Sequence, residues 1–70
     1  MYKTCKIIYP LFQNGELIEE LFADYINEGG SDRYENDICE WEVDLPSDFA
    51  NAMMKRFADG KDGVKMEIID

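Results

Sequence analysis

The chain has 70 residues, 46% of them hydrophobic and 13% aromatic, and its 16 acidic and 7 basic residues give a net charge of −9. This length excludes a second domain and the apolar content excludes an intrinsically disordered chain, so we expect a single acidic domain over residues 1–70. The negative charge disfavours nucleic acid and anionic lipid as direct partners and favours a basic partner.

The first predicted element is a strand. Alternation of apolar and polar residues places it over Tyr2–Tyr9, with Cys5, Ile7 and Tyr9 on its buried face, and Pro10 ends it. The "QNG" that follows at 13–15 is typical of a turn.

A helix is predicted next, in "ELIEELFADYINEGG" at 16–30. Asn14 is expected to cap its start, and Gly29-Gly30 to close its end. An Asn-Gly hairpin over Leu11–Ile18 is the competing interpretation, but the helical pattern is longer. The apolar stripe that predicts the helix consists of Leu17, Ile18, Leu21, Phe22, Tyr25 and Ile26.

The second half of the chain predicts a strand, a helix and a last strand. "GGSDRYEND" is expected to be a polar loop that leads into a strand over Ile38–Leu45. Pro46 then stops this strand, and Ser47 is expected to cap the helix "SDFANAMMKRFA". "DGKDG" is expected to be a loop and "VKMEIID" a final strand.

All three strands alternate, which is typical of a sheet with one solvated face. We therefore expect an α+β fold, a two-layer sandwich in the order β-α-β-α-β, with a three-stranded sheet and two helices on one face. The expected core consists of Cys5, Ile7, Tyr9, Leu17, Leu21, Phe22, Tyr25, Trp41, Val43, Phe49, Met53, Phe57, Val64, Met66 and Ile68.

Both cysteines, Cys5 and Cys39, lie in apolar alternations. Free buried thiols in a reducing cytosol are the expected state, and a disulfide between neighbouring strands is the alternative. "MYKTCKIIYPLF" has no small-residue cleavage site, and no segment reaches the roughly 18–20 apolar residues of a membrane span. We therefore expect a cytoplasmic location.

The residue types that carry most catalysis and cofactor binding are scarce. There is no histidine, no nucleophile motif surrounds the three Ser and Thr residues, and no glycine-rich loop precedes a helix. "DGKDGVKME" at 59–67 has lysine at the third position of a would-be calcium loop. Carboxylate pairs are plentiful, but so small a chain has few residues to wall a pocket. We expect no enzyme, no cofactor and no metal.

The acidic residues are concentrated in the middle of the chain. Residues 16–48 hold twelve acids and one base, whereas residues 1–15 carry +2 and residues 49–70 are neutral. Fixed carboxylates on one helix, one loop and one strand can occupy a site built from Lys and Arg, as DNA phosphates do. The candidate partner-binding residues are Glu16, Glu19, Glu20, Asp24, Glu28, Asp32, Glu35, Asp37, Glu40, Glu42 and Asp44.

An ordinary solvated surface is the alternative interpretation of the same residues. Lys6 and Lys65 occupy outward positions on their strands and are candidates for cross-strand pairs with Glu40 or Glu42. Acidic surfaces also keep small proteins soluble. The binding hypothesis therefore depends on the excess of −11 over residues 16–48 and not on one carboxylate.

The stretch "VDLPSDFANAMMKRFADGKDGVKMEI" at 43–68 reads as strand, Pro-Ser, amphipathic helix, turn and strand, and the acidic "RYEND" precedes it. In these features the C-terminal half resembles small phage-encoded anti-CRISPR proteins of type I-F that act as DNA mimics. It implies a CRISPR surveillance complex subunit as the basic nucleic-acid-binding partner, contacted by the acids of the middle section as a group.

The sequence thus predicts a non-enzymatic inhibitor with an acidic, DNA-like surface, acting as a monomer or homodimer. Two other functions stay open. One is inhibition of another DNA-binding enzyme, and the other is a small protein-interaction module or modulator of host transcription machinery without DNA mimicry.

Overall fold

The computed structural model describes residues 1–26 and 31–69. In these residues the elements are β1 (Tyr2–Pro10), α1 (Leu11–Leu21), β2 (Ser31–Glu35), β3 (Ile38–Pro46), α2 (Ser47–Arg56), a 3-10 turn (Lys61–Gly63) and β4 (Lys65–Ile68). No helix in the described ranges is both long and apolar enough to cross a lipid bilayer.

The four strands form one antiparallel sheet in the order β2-β3-β1-β4. Helix α1 connects β1 to β2, and β3 lies between these two strands in the sheet. Helix α2 connects β3 to β4, and β1 lies between those two strands. This is the split β-α-β, or ferredoxin-like, arrangement. The prediction of a three-stranded sheet in the order β-α-β-α-β was therefore wrong.

The missing strand is β2, which was predicted to be part of a polar loop. Its sequence, "SDRYE", has no apolar alternation because it lies at the sheet edge and pairs with β3 alone. The two strands are joined by Asn36 and Asp37, whose φ angles of 50° and 69° are typical of a two-residue type I′ hairpin turn. The dipeptide Asn36-Asp37 is the hairpin signal in the sequence, but it lacks the glycine that usually follows asparagine in such a turn.

Helix α1 begins at Leu11, directly after Pro10, so both the predicted turn at 13–15 and the competing hairpin were wrong. The backbone N–H of Leu11 donates to the carbonyl oxygen of Asp37 at 2.7 Å, which satisfies one of the free N–H groups of the first turn. Asn14 is buried inside the helix and is not its cap. The predicted end at Gly29-Gly30 lies outside the described residues.

Helix α2 was predicted at the correct place but with the wrong cap. Pro46 is the N-cap residue, and the hydroxyl of Ser47 donates to the carbonyl oxygen of Met1 at 2.9 Å. The backbone N–H of Ser47 donates to the same oxygen. Ser47 therefore fixes the start of the chain to the end of β3.

The core lies between one face of the sheet and both helices. Trp41 is only 3% exposed, as the alternation of β3 predicted, and its ring packs edge-on against Phe22 at 5.5 Å between centroids. Ile18 is fully buried and Leu17 only half-buried, because the buried line of this segment runs through Asn14, Ile18 and Phe22, which are spaced four residues apart. The buried apolar residues are Cys5, Ile7, Tyr9, Ile18, Phe22, Cys39, Trp41, Val43, Leu45, Ala50, Phe57 and Val64.

The two cysteines are free and buried. Cys39 lies opposite Tyr9 in the β1–β3 register, whereas Cys5 lies opposite Val43, so the alternative of a disulfide between neighbouring strands is wrong. Burial raises the pKa of the Cys5 thiol, which keeps this thiol protonated and weakly nucleophilic.

Candidate functional site

The structure divides the candidate acidic residues between two sides of the molecule. One group lies on the open face of the sheet, away from the helices, because its members occupy outward positions of β3 or pair with one. These acids are Glu35, Glu40, Glu42 and Asp44. A second group lies on the helix side of the molecule: Glu16, Glu19, Glu20, Asp24 and Asp32. Asp37 lies in the β2–β3 turn, and Glu28 lies outside the described residues.

On the open sheet face two of the four acids, Glu40 and Asp44, have side-chain partners. Glu40 is paired with the Lys6 ammonium at 3.3 Å and with the Arg33 guanidinium at 3.1 Å. The hydrogen bond from Lys6 and the charge of Arg33 hold the pKa of the Glu40 carboxyl below its ordinary value. Asp44 accepts a 2.7 Å hydrogen bond from the hydroxyl of Thr4.

The expected cross-strand pairing of lysine with the β3 acids is therefore confirmed for Lys6, which also lies directly opposite Glu42. It is wrong for Lys65, which lies opposite Ile8. Both cations contact Glu40 and the Thr4 hydroxyl contacts Asp44, so the ion pairing that the described residues show on this face is concentrated at Glu40.

The acids of the helix side lack such compensation. We call Glu16, Glu19, Glu20 and Asp24, all of them exposed, the α1 acidic surface. The chain has no Lys or Arg between Lys6 and Arg33. In residues 1–26 and 31–69, both ion pairs are made by Glu40, and none involves the α1 acidic surface.

The position of these acids within the helix does not favour stability. Because α1 runs from Leu11 to Leu21, its first turn has no acidic residue and its last turn has no basic one. Glu19 and Glu20 lie near the C-terminus, where the helix dipole repels anions at a cost of about 0.3–1 kcal/mol each. The prediction that Glu16 and Glu19 lie near the helix N-terminus was wrong. Helix α2 has the opposite, favourable arrangement, with Asp48 first and Lys55 and Arg56 last.

A groove of about 390 Å³ separates α1 from the edge strand β2. Its acidic residues are Glu19 on the helix and Asp32 on the strand, and the hydroxyl of Tyr34 donates to the Asp32 carboxylate at 3.4 Å. The negative charge of Asp32 raises the pKa of the Tyr34 phenol. The other lining residues are Tyr9, Leu11, Gly15, Ala23, Ile26 and Trp41.

The sequence interpretation missed the groove because it treated residues 31–37 as a loop. Strand register places Asp32 opposite Trp41 and Tyr34 opposite Cys39, so both side chains lie on the helix face of the sheet. The alternation Asp-Arg-Tyr-Glu was the available signal. Alternate residues of a strand lie on opposite faces of the sheet, so Asp32 and Tyr34 lie on one face and Arg33 on the other.

The described residues include side chains of the types that ligate metal ions, and a buried phenol, Tyr9. No three of their His, Cys, Asp and Glu side chains are grouped as ligands of a metal ion would be. The pKa of Tyr9 is raised by its burial and by its hydrogen bond with Cys39, so this phenol is not a base near neutral pH.

Comparison with known proteins gives no relative from which a function can be transferred. No protein-family model, no curated protein and no solved structure matches this chain. The ferredoxin-like arrangement describes the fold alone, because folds of this kind support many unrelated functions. Functional arguments therefore depend on the two acidic surfaces and the groove.

Proposed function

We propose that this protein is a non-enzymatic inhibitor that binds a basic, nucleic-acid-binding site on another protein through the α1 acidic surface. The observation that carries the proposal is the contrast between the two groups of acids. Among the described residues, Glu40 of β3 is paired with both Lys6 and Arg33, whereas the acids of α1 make no ion pair, and Glu19 and Glu20 oppose the helix dipole.

Uncompensated charge at an unfavourable helix position is a cost that folding alone does not explain. Lysine near the C-terminus of α1 would stabilise the helix, and α2 of the same chain has this arrangement. A basic partner explains why acids occupy these positions, because in the complex the partner's cations compensate their charge.

The spacing of the charges supports a DNA-like character. Residues four apart on a helix are about 6 Å apart, so Glu16 and Glu20 form a short anionic row and Glu19 lies beside it. DNA carries one phosphate per about 3.4 Å of axis on each strand. Lysines and arginines that bind phosphates can therefore bind this row instead, and DNA is displaced.

The resemblance of residues 43–68 to type I-F anti-CRISPR proteins suggests a CRISPR surveillance complex subunit as the partner, met in the cytoplasm of the host cell. A second candidate function is a protein-interaction module without DNA mimicry. The aromatic lining of the groove favours it, because occupation of a phosphate-binding site needs carboxylates and no aromatic groove. In that case DNA would not compete for the partner.

The test begins with capture of partners from host lysate by the protein and by its Glu16→Lys/Glu20→Lys variant. A basic nucleic-acid-binding protein retained by the first and lost by the second is the expected partner. DNA is then titrated against the preformed complex at constant ionic strength. Release of the inhibitor by DNA, with one equivalent of inhibitor blocking one site, supports mimicry. A partner that holds DNA and inhibitor together contradicts it.

A further inference from the structure

We infer that the groove between α1 and β2 is a receptor for one arginine side chain of the basic partner. This inference rests on the proposed function and deepens it, since it assigns a specific contact within an otherwise diffuse electrostatic interface. It starts from three features of the groove, namely its charge, its aromatic lining and its size.

The charge of the groove is entirely negative. Glu19 contributes a carboxylate from α1 and Asp32 one from β2, and the described residues that line the groove include no lysine or arginine. The single cation of β2, Arg33, lies on the open sheet face, where it contacts Glu40. A cation that enters between helix and strand therefore meets carboxylates on both walls and no competing positive charge from the lining residues.

The lining adds a surface on which a planar cation can lie. Trp41 and Tyr9 are 3% and 7% exposed, and line the groove as part of the packed core, while Tyr34 is 58% exposed and available at the edge. A guanidinium stacks on aromatic rings and donates from five N–H groups in a fixed plane, so it can contact carboxylates on two sides at once. The lysine ammonium has no plane to stack and is more strongly hydrated.

The size and fixed geometry of the groove suit one long side chain. Its volume of about 390 Å³ is near the lower end of ordinary ligand sites, which span about 300–1,000 Å³. One side of the groove is fixed by the hydrogen bond from the Leu11 N–H, which starts α1, to the Asp37 carbonyl, which ends the turn after β2. Helix and strand are therefore joined before any ligand arrives.

The test uses Trp41 as the reporter, because it is the only tryptophan of the chain and lines the groove. The full chain is titrated with an acetylated, amidated Gly-Arg-Gly peptide while Trp41 emission and its indole N–H resonance are followed. The same peptide with lysine and with citrulline, the neutral analogue of arginine, provides the comparison. We expect saturable binding of the arginine peptide, about fivefold or more weaker binding of the lysine peptide, and none of the citrulline peptide.

Matched variants separate the groove from general negative charge. Glu19→Gln and Asp32→Asn should each weaken arginine-peptide binding about fivefold. Asp59→Asn and Glu67→Gln remove the same charge at exposed positions outside both the groove and the α1 acidic surface, and should leave it within about twofold. Equal weakening by all four variants, or equal binding of the citrulline peptide, overturns the inference.

The two proposals fail in different ways. If reversal of Glu16 and Glu20 abolishes partner binding while Glu19→Gln and Asp32→Asn leave it unchanged, the groove is not an arginine receptor and the proposed function stands. If the arginine peptide binds as expected but the partner is indifferent to reversal of Glu16 and Glu20, the groove inference stands and the proposed function fails.

Discussion

The Lys6 ammonium lies 3.3 Å from the Glu40 carboxylate, on the open face of the sheet. Glu40 is the first of the three outward carboxylates of β3, and this contact, together with Arg33 at 3.1 Å, compensates its charge. The acids of α1 have no such ion pair in the part of the chain that the structure describes. The location of the cations, more than that of the acids, identifies the candidate surface.

Replacing Glu20 by lysine should stabilise the isolated protein. The substitution exchanges an anion for a cation near the C-terminus of α1, so the free energy of unfolding should rise by about 0.3–1 kcal/mol. Denaturant unfolding followed by Trp41 fluorescence measures it. The matched control is Asp48→Lys in the first turn of α2, which should lower the free energy of unfolding. Destabilisation by Glu20→Lys would contradict the helix boundaries described here.

Stability should fall in acid partly through Glu40. Its pKa is lowered in the folded state by Lys6 and Arg33, so the pairing stabilises the fold above the pKa of an unfolded Glu, about 4.3. This contribution is lost as the pH falls through the lower, folded pKa. Urea unfolding at pH values between about 3 and 7 should show a flatter profile for Glu40→Gln than for the parent chain. In about 1 M salt the difference should shrink, because exposed pairs are screened.

Truncation of Trp41 tests the alternation of β3. Because this ring is nearly fully buried against Phe22, Trp41→Ala should cost about 3–5 kcal/mol, enough to unfold a domain this small. Tyr34→Ala is the control, since this exposed ring lies on the edge strand, and its effect should stay within about 0.5 kcal/mol. Circular dichroism and thermal unfolding distinguish the two. A folded Trp41→Ala protein of parental stability would show that the core is elsewhere.

The β2–β3 turn offers a test of the strand that the sequence did not reveal. Asp37 has a φ of 69°, which glycine adopts without strain, so Asp37→Gly should raise the free energy of unfolding by about 1 kcal/mol. Asp37→Val should lower it, because a β-branched residue is disfavoured there. Amide hydrogen exchange in Ser31–Glu35 should slow in the first variant and quicken in the second. Opposite changes would mean that no hairpin forms.

Elements whose burial alternates clearly could be predicted from the sequence. The strands β1, β3 and β4 and the helix α2 follow directly from apolar periodicity, and so does the burial of Trp41. Strand β2 could not, because a strand paired on one side at the sheet edge needs no apolar alternation. The true start of α1 was hidden by Asn14-Gly15, which usually marks a turn but here lies inside a helix whose first N–H is satisfied by Asp37.

The candidate site, too, could be predicted from the sequence only in part. The excess of acids over residues 16–48 was visible in the sequence, but their separation onto two sides of the sheet depends on strand register. Lys6 is distant from Glu40 along the chain and adjacent to it in space. The fold decides which acids have a cation beside them, so composition alone does not identify the acids that lack one.

The most direct measurement of the central claim compares two double charge reversals of equal size. Glu16→Lys/Glu20→Lys changes the α1 acidic surface, and Asp59→Lys/Glu67→Lys makes the same change in net charge at exposed positions after α2 and on β4. Affinity for the captured partner is measured for both, at matched ionic strength and after thermal unfolding has shown that both fold. The account predicts that the first variant loses about tenfold or more in affinity and that the second stays within a few-fold of the parent. Equal loss in both, or no loss in the first, would contradict it.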